Sequence, residues 1–166
     1  MLIRVATLAD AAATAAIYAP QVLHGTASFE TEAPTTAEMA ARMARVIGAG
    51  WPWLVAEASD AVIGYAYASQ FRDRPAYAAT CENSIYVATD AHRRGAGKAL
   101  MQALVDAARA AGFREMIAVI GDATGNTASR RLHAACGFHD VGTLTNVGHK
   151  FGRWLDVAYM QRSLWT

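Results

Sequence analysis

Three cationic side chains and two glycines fall within seven residues of this chain, His92-Arg93-Arg94-Gly95-Ala96-Gly97-Lys98. Glycines let a backbone approach a ligand closely and turn its N–H groups outward. A helix that opens at the same place adds partial positive charge. The chemistry this combination serves is anion binding, most naturally of a pyrophosphate; the bland alternative is a glycine-relieved turn with a solvated basic rim. Two familiar phosphate patterns are excluded. A Walker loop needs Gly and Ser/Thr where His92 and Ala99 stand, and a dinucleotide fingerprint needs Gly or Ala where Leu100 stands.

Two more groups have the right residue types for chemistry. Glu82 is followed by Asn83 and Ser84 and preceded by a polar loop that carries Arg72 and Arg74. Asn126, Ser129 or Arg130, and His133 recur at i, i+3 or i+4, and i+7, so a helix would show them on one face.

The elements that must position these groups are readable from pattern. Leu2–Val5 reads as a strand. Thr7 and Asp10 cap an alanine-rich helix that Pro20 is expected to stop. Thr35 and Glu38 form a capping box for a helix buried along Met39, Met43, Val46 and Ile47 and ended by Gly48 and Gly50. Trp53–Glu57 and Val62–Ser69 read as a hairpin, and Ser84–Ala88 as a strand with Ile85 and Val87 on one face and Ser84 and Tyr86 on the other. Glu82 is then expected just before that strand.

The glycine turn opens a helix with a stripe of Leu100, Leu104, Ala107, Ala108 and Ala111, stopped by Gly112. Met116–Ile120 reads as a strand buried on both faces, and a helix starts at Asn126 or Thr127 and ends at Gly137. Two last strands are expected at Asp140–Thr145 and Trp154–Gln161. Seven strands mixed with four helices predict an α/β or α+β single domain over residues 1–166, with one mixed sheet covered by helices on both faces.

Composition narrows the function. With 166 residues and 54% hydrophobic content the chain has enough material for one core. Charged residues are 17% and the formal net charge is +1. That excludes a polyelectrolyte, a disordered chain and a nucleic-acid binder with a strong general field. Cys81 and Cys136 form no metal or disulfide motif, and His24 and His139 lack partners at ligand spacing, so no metal is expected. No run is long enough to span a membrane, and Asp10 interrupts any leader-like core around Ala11–Ala19, so the expected location is the cytoplasm.

The turn, as a strand–Arg/Gln-x-x-Gly-x-Gly/Ala–helix pattern with His92 in first position, resembles the acetyl-CoA-binding loop of the GNAT superfamily of N-acetyltransferases. Further segments resemble the phosphinothricin and methionine sulfoximine acetyltransferases within it. They are Ser28-Phe29-Glu30-Thr31-Glu32, Arg74-Pro75-Ala76-Tyr77, Glu82 through Val87, Ala118-Val119-Ile120, Asn126 through Phe138, and Lys150 through Asp156. The resemblance spans nearly the whole chain and implies a central, mostly antiparallel mixed sheet of about seven strands with about four helices.

It also implies roles. Acetyl-CoA is the co-substrate, held by Ile85, Tyr86, Val87, Arg93, Arg94, Gly95, Ala96, Gly97, Lys98, Asn126 and Ser129, and the Tyr86–Val87 backbone offers an amide to the developing oxyanion. Glu82 is the base that takes the proton of the acceptor ammonium, unless it is an ion-pair partner of Arg72 or Arg74. His133 is the acid for the departing thiolate, unless it is only packed at a helix edge.

The acceptor, a small amino acid analogue that inhibits glutamine synthetase, would meet Phe29, Arg72, Arg74, Tyr77, Glu82, Asn83 and Ser84. A homodimer is implied, with His149, Lys150, Arg153 and Trp154 on a late loop near its interface or simply on a hairpin with a basic tip. Two other readings stay open: transfer to another small amine or a peptide N-terminus, and a CoA-binding sensor without turnover.

Overall fold

The computed structural model describes residues 1–92 and 94–165. Arg93, one of the cations of the glycine turn, lies outside the described residues. In chain order the elements are β1 (Leu2–Val5), α1 (Ala11–Leu23), α2 (Thr36–Gly48), β2 (Trp53–Ala58), β3 (Ala61–Gln70), β4 (Thr80–Val87), α3 (Ala96–Ala110), β5 (Glu115–Gly121), α4 (Thr127–Ala135), β6 (His139–Lys150) and β7 (Arg153–Ser163). The strands form one sheet in the order β1-β2-β3-β4-β5-β7-β6. Neighbours pair antiparallel except β4 and β5, which run parallel. The expected mixed, mostly antiparallel sheet with four helices is therefore what forms.

The parallel pair creates the feature on which the site depends. Its register runs from Thr80↔Glu115 only as far as Asn83↔Ala118. β4 continues to Val87 and β5 to Gly121, so beyond Asn83 the two strands part. A fork in the middle of a sheet leaves backbone N–H and C=O groups on both inner edges without a strand partner.

Each face of the sheet has its own core. On one, α3 lays Leu100, Met101, Leu104, Val105 and Ala108 against Ala66, Ala68, Met116 and Ala118. Ile85 and Val87 of β4 face this side. On the other, α1 and α2 cover an aromatic wall in which Trp53 stacks on Tyr67 at 4.3 Å and Tyr18 meets Tyr86 edge-on at 4.8 Å. Both end signals of α2 act as expected. Thr35 Oγ1 accepts from the Glu38 N–H at 3.2 Å, Glu38 Oε2 accepts from the Thr35 N–H at 2.7 Å, and Gly50 adopts positive φ just beyond the helix.

Several expectations need correction. Pro20 does not stop α1, which runs on to Leu23. Proline near the end of a helix forfeits one bond, and the turn still closes with the His24 N–H on the Pro20 carbonyl at 3.0 Å. Thr7 and Asp10 cap a short 3-10 turn that feeds α1 rather than α1 itself. Ala111 is exposed, and Met101 and Val105 share the buried stripe of α3 instead. β5 is buried on one face only: Met116, Ala118 and Ile120 are buried, while Ile117 and Val119 are half-exposed because α1 and α2 do not extend over them.

β4 starts at Thr80, so Glu82 lies inside the strand rather than before it. β6 continues to Lys150, and the late loop is the tight hairpin turn Phe151–Gly152, both at positive φ.

Candidate active site

The glycine turn sits where β4 ends and α3 begins. Gly95 caps α3 at φ +83°, a conformation that side chains disfavour, with open space beside it. The first intrahelical bond runs from the Ala99 N–H to the Gly95 carbonyl, so the amides of Ala96, Gly97 and Lys98 have no partner inside the helix. Gly97 is small for a packing reason. A Cβ there would come within 3.3 Å of the Leu132 side chain and 3.8 Å of Val87. Arg94 and Lys98 are exposed at the rim. His92 holds the start of the turn with its ring Nε2 3.0 Å from the Val87 carbonyl. An open amide nest with exposed cations fits a diphosphate.

From this nest a cleft of about 420 Å³ runs along β4, walled by Ile85, Tyr86 and Val87 on one side and by Asn126, Ser129 and Leu132 on the other. It meets a smaller cavity of about 70 Å³ inside the fork, between Asn83–Tyr86 of β4 and Ala118–Gly121 of β5, with His133 behind. Asn126 and Ser129 line both spaces, so the shared α4 face expected from their spacing is turned into the cleft.

The loop between α1 and α2 closes the cleft from the other side, and Ala27 borders both spaces. It is docked tightly. A Cβ on Gly121 would stand 2.5 Å from the Ala27 carbonyl, and Asp122 accepts hydrogen bonds from the Thr26 hydroxyl and the Gly125 N–H.

Glu82 pairs across the sheet with Ser69 on β3 and Ile117 on β5, on the same side of β4 as Ser84 and Tyr86. Burial pushes its carboxyl above the ordinary range, and the positive charge of Arg72 pulls it part of the way back. No salt bridge to Glu82 forms among the described residues. Arg72 stacks instead over the Phe71 ring at 4.4 Å, and Tyr77 meets the same ring edge-on at 5.8 Å. Arg72, Arg74 and Tyr77 are all exposed, and Arg72 is the one whose charge reaches the carboxyl.

Asn83 and Ser84 do not act from the same place. Alternation turns them to opposite faces, and the buried Asn83 amide is already engaged. Its Nδ2 donates to the Ile117 carbonyl at 3.2 Å, and its Oδ1 stands 3.0 Å from His133 Nε2. This corrects the grouping of Asn83 with the acceptor-facing residues: it closes the fork and meets α4. His133 is 2% exposed, with Nδ1 2.8 Å from the Ser129 carbonyl and 3.4 Å from the Ser129 hydroxyl. Burial lowers its basicity, and the bond to the Ser129 carbonyl works against that. Neither ring nitrogen faces the cleft without a partner.

Phe29 lies against β5 and β6, where a Cβ on Gly148 would overlap its ring. Lys150 is only 5% exposed and donates from Nζ to the Ser28 carbonyl at 2.7 Å, so it is not part of a basic tip. His149 packs on Trp154 at 4.8 Å, and Arg153 and Trp154 are exposed.

Sequence reasoning did not find the groups that hold the 25–32 loop from behind. Tyr18 Oη bonds Ser28 Oγ at 2.7 Å and Glu30 at 2.8 Å, and Arg42 clasps Glu30 with both terminal nitrogens at 2.8 and 2.9 Å. Their partners are 10 to 12 residues away, across a loop, where no periodicity links them. Asp122 left a local signal in Asp122-Ala123-Thr124-Gly125, a turn sequence.

Comparison with known proteins agrees with this architecture. The model of the acetyltransferase (GNAT) domain matches residues 3–159. The chain is 49% identical over 162 residues to phosphinothricin N-acetyltransferase of Alcaligenes faecalis, covering 98% of this chain and 82% of that one. It is 39% identical over 163 residues to the L-methionine sulfoximine/L-methionine sulfone acetyltransferase of Pseudomonas aeruginosa, covering 98% and 94%. It superposes on the Sinorhizobium meliloti phosphinothricin acetyltransferase, solved in complex with AcCoA, with TM-score 0.94 and 47% identity over 98% of this chain and 87% of that one.

Proposed function

The chain belongs to the GNAT acetyltransferase family, and from that premise we propose that it transfers an acetyl group from acetyl-CoA to the α-amine of a small amino acid analogue, with phosphinothricin, methionine sulfoximine and methionine sulfone as candidate acceptors. The observation that carries this reading is the alignment along one strand of an amide nest, a cleft, a fork and a half-buried carboxyl. The diphosphate of acetyl-CoA belongs on the amides of residues 96–98, with Arg94 and Lys98 adding charge. Asn126, Ser129 and the edge of Ile85–Val87 hold its arm. Bound there, acetyl-CoA supplies an activated acyl group.

The protein's own groups do the rest. Glu82 attracts the acceptor ammonium and takes its proton, which exposes the nucleophilic lone pair. A carboxyl raised by burial is better matched to this than an ordinary one, because it holds the proton more firmly. The Tyr86–Val87 backbone offers an N–H to the oxyanion. His133 reaches the cleft through the Ser129 hydroxyl, and we assign the proton for the departing thiolate to this pair. Arg72 and Arg74 are placed for the acceptor carboxylate, with Phe29, Tyr77 and Ser84 around its side chain.

We further propose one catalytic domain over residues 1–166, working as a homodimer in the cytoplasm. Support for the dimer comes from the outer hairpin, where Val141, Leu144, Val147 and Phe151 are exposed and Trp154 is 67% exposed. Two free buried cysteines suit a reducing compartment. Sedimentation of wild type against Trp154→Asp checks the dimer: a shift to monomer is expected, and an unchanged dimer would place the interface elsewhere.

Thiol release with acetyl-CoA and a panel of analogues, ordinary amino acids, a dipeptide and spermidine tests the activity. Product with the analogues is expected. Thermal stabilisation by acetyl-CoA without product from any amine would make the protein a sensor instead.

A further inference from the structure

The loop that closes the cleft is held from two directions. From the helix side it is gripped by Tyr18 and Arg42, through Ser28 and Glu30. From the sheet side it rests on two residues of β6. Gly148 receives the Phe29 ring, and Lys150 reaches inward to the Ser28 carbonyl, 122 residues away in sequence. These are the two buried positions of a strand whose other residues are exposed.

A buried ammonium is costly to keep. The Ser28 carbonyl is the one hydrogen-bond acceptor it meets among the described residues, with Glu30 as the carboxylate whose charge it feels and the Phe151 ring 5.1 Å from its nitrogen. Core packing alone would be served as well by methionine, since replacing a buried charge with an apolar side chain of similar volume is often neutral or stabilising. What methionine lacks is a donor for the loop backbone.

We propose that Lys150 is a positioning residue for the acceptor site: its ammonium fixes the Ser28 carbonyl, and thereby the placement of Phe29 and Ala27 across the fork, so that the outer hairpin sets the geometry in which the acceptor is held. The proposal rests on the acetyltransferase reading for its kinetic consequence, but not for its structural one. The glycine nest lies at the other end of the cleft and is held without this strut; Ala27 also borders the cleft, so the effect falls mainly on the acceptor and only weakly on acetyl-CoA.

The test is Lys150→Met, with Lys150→Arg as the conservative variant, measured by amide hydrogen exchange and by steady-state kinetics. In Lys150→Met, exchange in residues 25–32 is expected to rise at least tenfold while α3 and β4 are unchanged. The acceptor KM is expected to rise about tenfold with the acetyl-CoA Kd within about twofold of wild type, and Lys150→Arg is expected to recover part of the loss.

Unchanged exchange in the loop, or a loss confined to kcat with acceptor KM intact, would overturn the proposal. If Lys150→Met does not fold, Gly148→Ala probes the other support, since its methyl group must displace Phe29. The same loop loosening and KM rise are expected there, and their absence would equally overturn the proposal. A wild-type protein that acetylates none of the analogues would sink the activity reading, while the exchange measurement would still decide the strut.

Discussion

The two ends of the cleft are built differently. The end expected to hold the diphosphate is made of backbone: three free amides at the start of α3, a glycine in a left-handed conformation, and the unpaired edge of β4, all within residues 84–98. The end expected to hold the acceptor is made of side chains from separated segments, namely Phe29, the rim at Arg72, Arg74 and Tyr77, Glu82 and Ser84, and the struts Lys150 and Gly148. A backbone site tolerates side-chain change and is sensitive to shape. A side-chain site can be retuned one residue at a time.

The contrast can be broken most forcefully at Glu82. Glu82→Gln is expected to lower kcat by about a hundredfold or more, the usual contribution of a positioned base, with acetyl-CoA affinity unchanged. The same change should stabilise the fold at neutral pH. The folded carboxyl holds its proton to a higher pH than the unfolded one, so the folded state loses stability as pH rises from the ordinary 4.5 through the raised value. Glutamine removes that loss. Thermal melts at pH 7 and near pH 4 check the sign: a gain for the variant at the higher pH and little difference at the lower.

A smaller effect is expected at the other end, where shape should outweigh charge. Gly97→Val, which crowds Leu132 and Val87, should weaken acetyl-CoA binding by about tenfold, and Arg94→Ala by only a few-fold, with the latter difference fading in high salt. Calorimetric titration of both variants separates the two. An Arg94→Ala loss larger than that of Gly97→Val would reverse the assignment of this end to backbone.

The smallest effect is electrostatic. Arg72 draws the Glu82 carboxyl downward without touching it. Arg72→Gln should therefore move the acid limb of the kcat/KM profile slightly to higher pH, since the arginine is exposed and screened. A shift to lower pH would contradict the geometry.

The same division explains how much could be read beforehand. The glycine turn, the α2 capping box and the strand carrying Ile85 and Val87 are local, and residue type with spacing was enough to locate them. The α4 face of Asn126, Ser129 and His133 followed from helical periodicity. The start of β4 was missed because Thr80–Asn83 is polar, and only its neighbours on β3 and β5 make it a strand. With that start misplaced, Asn83 and Ser84 were grouped together although alternation separates them.

Sequence alone puts Lys150 on a late loop near an interface or on a basic hairpin tip, because lysine is usually exposed. Its burial depends on a carbonyl 122 residues earlier, which no local pattern encodes. Pro20 was read as a helix stop because the rule counts the lost bond and not the three residues of α1 that still follow.

The most direct measurement is a crystal structure with coenzyme A and methionine sulfone bound together, a pair that cannot react. The diphosphate should lie on the amides of Ala96–Lys98, and the amine should lie within hydrogen-bond reach of Glu82, directly or through one water. A diphosphate bound away from that turn, or an amine on the far side of the fork from Glu82, would contradict the account.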